Sequence, residues 1–70
     1  MKMLDMDVSE MNELTKIEKN EALEFLEAGV DIICRTDRRD FYKVSKISDL
    51  KQCIKLAEDG VYDLLQFFIE

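Results

Sequence analysis

The side chains able to do chemistry in this chain are few, and their spacing limits what that chemistry could be. Histidine is absent, which removes the commonest general base and the commonest zinc ligand together. Cys34 and Cys53 are the two cysteines; a structural zinc takes four ligands, so the pair cannot close such a site alone. Each sits in an otherwise apolar pattern and reads as a reduced, buried small side chain, and two are too few for a disulfide framework. Ser9, Ser45 and Ser48 have no base partner, and Ser48 fits better as a helix cap. The calcium loop with its central glycine is missing, and neither Gly29 nor Gly60 belongs to a phosphate-cradling loop. A carboxylate pair working on a substrate needs a cleft, for which seventy residues leave little room. The expectation is a protein that is not an enzyme and needs no metal or cofactor.

What remains is charge, and it is unevenly placed. Residues 1–34 carry nine acids against three lysines, residues 35–55 seven bases against three acids, and residues 56–70 four acids and no base. The long acidic stretch contains a ladder, Glu18, Glu21, Glu24 and Glu27, preceded by Glu10 and Glu13. A three-residue step on a helix advances about 4.5 Å and turns by roughly −60°, so such a row winds slowly and shows a curved line of negative charge. To a basic protein that line loosely resembles a nucleic-acid backbone. Like charges so placed cost helix stability, which a small domain tolerates either for solubility or to use the field. Asp59 and Asp63 form a candidate second acidic patch.

The basic stretch centres on Arg35, Arg38 and Arg39, with Phe41 and Tyr42 beside them. Arginine with aromatics suits nucleic acid, but Asp37 and Asp40 flank the arginines and favour internal pairing on a charged sheet edge. Direct nucleic-acid binding by a chain of net charge −6 is disfavoured. The chain closes on Val61, Leu64, Leu65, Phe67, Phe68 and Ile69, a stripe whose plain role is core. Phe67 lies off its main line and is a candidate exposed anchor for a dimer or partner.

The elements that must position these groups follow from pattern. Residues 1–8 have no clear period and are expected to be loose or a short flanking strand. From Ser9 the pattern turns helical, Thr15 with Glu18 fits a capping box, and Asn20 is a second candidate N-cap. Residues 21–28 are good helix formers, and Gly29 stands where a left-handed residue would stop the helix. Residues 30–36 and 41–47 read as a hairpin around the polar turn 37–40. A helix capped by Ser48 runs to Ala57 or Glu58, with Asp49 in its first turn. After a break at Gly60, residues 61–70 fit a helical template better than a third strand, although Phe-Phe-Ile has strand character. The expected fold is α+β, a β-hairpin packed against two or three helices in the order α-β-β-α, closed by a C-terminal helix or third strand.

Size makes residues 1–70 a single domain near the lower limit for a self-sufficient core. The start, Met1 to Met6, is interrupted by Lys2 and Asp5 and offers no apolar signal region. No apolar run approaches the length of a membrane span. Reduced thiols without a signal point to the cytoplasm.

The run from Asn20 to Ile33, Asn-Glu-Ala-Leu-Glu-Phe-Leu-Glu-Ala-Gly-Val-Asp-Ile-Ile, followed by Asp40-Phe-Tyr-Lys-Val44, resembles the opening of many small phage-encoded proteins. In those a short helix leads into a hairpin and a later helix. Small acidic phage proteins are similar as a group to host-takeover inhibitors, some of them DNA mimics that block basic proteins such as the nucleoid protein HU. The resemblance implies a phage-encoded inhibitor acting in the host cytoplasm on a basic host DNA-binding protein. It transfers no individual binding residue, and the internal basic segment departs from a purely acidic mimic. The alternative expectation is a self-associating regulatory or assembly module, a homodimer held through the C-terminal stripe.

Overall fold

The computed structural model describes residues 2–6, 8–37 and 40–70. It overturns the hairpin-on-helices expectation. Five strands, β1 (Lys2–Leu4), β2 (Thr15–Ile17), β3 (Ile32–Thr36), β4 (Phe41–Val44) and β5 (Leu65–Ile69), form one sheet in the order β1-β4-β3-β5-β2. All four pairings are antiparallel. Helices α1 (Lys19–Glu27) and α2 (Ile47–Glu58) complete the fold, with a 3-10 segment at Val8–Glu13. β2 and β3 run parallel with β5 between them, and β4 and β5 run parallel with β3 between them. Each helix therefore bridges two parallel strands split by a third, as a parallel crossover must.

Three segments depart from expectation, each for a physical reason. Residues 65–69 form a strand and not a helix. Phe67 and Phe68 are buried on opposite faces of the sheet, and an interior strand covered on both sides reads as a continuous apolar run. In a short segment that run also satisfies a helical template. Residues 2–4 take the second of their two expected states, a short flanking strand paired with β4, Leu4 opposite Phe41. Thr15 is not a helix cap but the first residue of β2, opposite Ile69. The capping box lies one step later, where the Glu18 N–H donates to the Glu21 Oε1 at 2.9 Å. Likewise α2 starts at Ile47 on the Lys46 cap, so Ser48 sits inside the first turn.

Both glycine stops hold. Gly29 and Gly60 each have φ +83°, a conformation that favours glycine. The Val30 N–H donates to the Phe25 carbonyl at 2.8 Å and the Val61 N–H to the Leu56 carbonyl at 2.9 Å, the six-to-one bond of a Schellman ending.

The sheet has two covered faces. Under α1 and α2 lie Ile17, Ile32, Cys34, Val44 and Phe67, packed with Ala22, Leu26 and Leu50. On the other face Ile33, Phe41 and Phe68 are covered by Leu4, Met6, Met11 and Leu14. The segment before β2 is thus a second layer.

Candidate functional surface

Helix α1 places its acids by simple periodicity. Ala22 and Leu26 are buried, and at about 100° per residue Glu24 points directly away from the midpoint between them. Glu21 and Glu27 stand roughly 60° to either side of that direction. All three are exposed, as is Glu18 at the N-cap. The strip from Glu21 to Glu27 rises about 9 Å along the helix. Among the described residues no lysine or arginine lies within ion-pair distance of Glu24 or Glu27.

The other acids of the ladder lie elsewhere. Glu10 and Glu13 are exposed on the 3-10 segment, which covers the sheet face opposite α1. The row Glu10–Glu27 is therefore two groups on two layers and not one strip. Asp59 caps α2, its N–H donating to the Lys55 carbonyl at 2.9 Å, and Asp63 lies in the connection to β5. Both are exposed and belong to the end of α2 and the connection after it.

The basic hairpin is largely occupied. Lys43 pairs with Asp31 at 3.4 Å. Arg35 is half-buried between β4 and β5; its guanidinium lies 5.9 Å from the Phe41 ring centroid, and its Nη1 donates to the Gln66 Oε1 at 3.4 Å. Arg38 and Arg39 lie outside the described residues. The Tyr42 hydroxyl donates to the Asp40 Oδ2 at 3.3 Å. Burial, and then the Asp40 charge, hold that phenol above its ordinary value.

The two cysteines are shifted in opposite directions, Cys53 being lowered by its hydrogen bond with Cys34. Cys34 and Cys53 are free and buried, on the central strand and on the inner side of α2. A hydrogen bond with Cys53, reinforced by burial, pushes the Cys34 thiol far above its ordinary range. A thiol so held stays protonated and is a poor nucleophile. Among the described residues no group of three or more Cys, Asp or Glu side chains is arranged to hold a metal ion. No helix among the described residues is long and apolar enough to cross a membrane. Phe67, the candidate exposed anchor, is buried beneath the helices and Phe68 on the opposite face, while Val61 and Leu64 of the same stripe are exposed.

One surface escaped the sequence reading. Lys19, Lys51 and Lys55 line a groove between α1 and α2 whose floor is Leu23, Leu50 and Ile54. The spacing of Lys51 and Lys55 puts them on one helix face, but nothing in the sequence says that α1 brings Lys19 opposite them.

No protein-family model, no curated protein and no solved structure matches this chain.

Proposed function

We propose that the chain is a non-catalytic inhibitor, acting in a host cytoplasm, that docks the acidic back of α1 on a basic DNA-binding protein and competes with DNA for it. Glu18, Glu21, Glu24 and Glu27 are the contact residues, and an HU-like nucleoid protein is the candidate partner. The supporting observation is the outward strip of carboxylates that none of the chain's described bases engages. Such a strip raises the local concentration of a cationic partner and contributes through many weak, screened contacts. Glu10 and Glu13 face away from this contact and take no part in it, and Asp59 and Asp63 are peripheral.

Displacement tests the proposal. A labelled DNA duplex bound to an HU-like protein is titrated with this chain while fluorescence anisotropy is read. At low salt the DNA should be released, with the midpoint moving to higher concentration as salt rises past the screening range of about 0.1 M. Replacing Glu21, Glu24 and Glu27 together with Gln should raise that midpoint by roughly ten- to a hundredfold, at about 0.5–1 kcal/mol for each exposed charge. Release that ignores the triple substitution, or no release at low salt, contradicts the proposal.

A further inference from the structure

The helix layer carries a second surface of opposite sign. The groove between α1 and α2 has a volume of about 600 Å³. It runs on into a second hollow of about 470 Å³ that shares Lys19, Ile54 and Glu58 and ends against Leu65 and Phe67 of β5. Its floor is aliphatic and its lip is cationic, with Glu58 the one acid among the residues lining the first hollow. Among the described residues Lys19, Lys51 and Lys55 have no ion-pair partner. Lys51 and Lys55 stand four apart on α2, a like-charge spacing that works against the helix. A chain with net charge −6 has thus gathered three unpaired cations around an apolar trough, and an anionic occupant would relieve their repulsion.

We propose that this groove receives an amphipathic helical segment of another protein, with apolar anchors along one side and acidic residues flanking them. The lip from Leu50 to Glu58 extends about 12 Å along α2, which matches anchors at positions i, i+3 or i+4, and i+7 of a docked helix. The half-buried Leu23 and Ile54 would take the anchors above the buried Leu50, and Lys19, Lys51 and Lys55 the flanking carboxylates. A second copy of this chain fits less well. The apolar sides of its own helices are turned inward at Ala22, Leu26, Leu50 and Cys53, and its acidic strip has no anchors beside it. Apart from Glu18, which lines the second hollow, this surface is separate from the carboxylates Glu21, Glu24 and Glu27 of α1, and substitutions at Lys51 and Lys55 test it independently of them.

The test uses designed sixteen-residue helical peptides sharing one leucine stripe and flanked by Glu, Gln or Lys. Binding of each labelled peptide to the full chain is followed by anisotropy, with peptide helicity read by circular dichroism. The Glu peptide should bind and gain helicity, the Gln peptide should bind at least tenfold more weakly, and the Lys peptide should not bind. Lys51→Glu with Lys55→Glu, both at exposed positions, should weaken the Glu peptide at least tenfold while leaving the domain's own spectrum unchanged. If the domain's spectrum changes, Lys51→Gln with Lys55→Gln is used in their place, and a loss of at least threefold is expected. Equal binding of all three peptides, or no binding of the Glu peptide, overturns the proposal. So does a concentration-dependent dimer abolished by the lysine substitutions, which would assign the groove to a second copy. Saturable binding of oleate with no binding of the Glu peptide would assign it to an anionic lipid and overturn the proposal equally.

Discussion

The two faces of the sheet are covered in different ways. One is roofed by two regular helices that make the crossover connections. The other is closed by the chain between β1 and β2, which includes a 3-10 segment and packs Met6, Met11 and Leu14 on the sheet. Regular helices leave a predictable outward side, and it is there that the acids of α1 form a strip and the lysines of α2 line a groove. The irregular layer has no such periodicity. Its charges, Glu10 and Glu13 among them, follow the local path of the chain. A three-residue spacing of acids is therefore informative only where a helix runs beneath it.

Phe67 and Phe68 set the two faces against each other most sharply, since adjacent residues of β5 are buried on opposite sides. Phe67→Ala and Phe68→Ala should each cost about 3–5 kcal/mol in urea unfolding. Global stability for a chain this size is only roughly 4–10 kcal/mol. A Phe68→Ala cost under about 1 kcal/mol would mean that the second layer is not a core at all. A smaller effect comes from pH. Cys34 belongs to the helix-covered face, and its thiol is raised above the ordinary value of 9.0. The unfolded chain loses that proton near pH 9 while the folded chain keeps it. The Cys34 contribution is thus fully present below pH 9 and is lost as pH rises beyond it, while Cys53, lowered by the same hydrogen bond, contributes with the opposite sign. Cys34→Ala should remove the Cys34 part of that pH dependence in unfolding curves taken from pH 8 to 10.5. Least of all, Met11→Ala, at a half-buried position, should cost about 1 kcal/mol. No change would mean that residues 8–13 do not cover the face of the sheet opposite the helices.

What could be read from the residues was whatever carried its own local signal. The helix over residues 19–27, its glycine stop, the hairpin and the body of α2 all declare themselves by periodicity and turn chemistry. β1 and β2 are three residues each, too short for any period, and exist because β4 and β5 offer edges to pair with. The Thr15-x-x-Glu18 pattern was a decoy, since Glu18-x-x-Glu21 fits as well and tertiary pairing took Thr15 into a strand. For the candidate surface, the glutamates of α1 were legible because their helix was. The position of Glu10 and Glu13 depended on which face the first segment covers, and the lysine groove depended on how two helices lie together. Local sequence encodes neither.

Backbone amide shifts read by nuclear magnetic resonance, with an HU-like DNA-binding protein added at low salt, would probe the acidic strip most directly. Changes concentrated between Glu18 and Glu27, sparing Glu10, Glu13 and the hairpin around Lys43, and reversed by added DNA, are the expected result. Changes centred on Arg35 and Lys43, or none anywhere on α1 at saturating partner, would show that these carboxylates merely keep the helix in water.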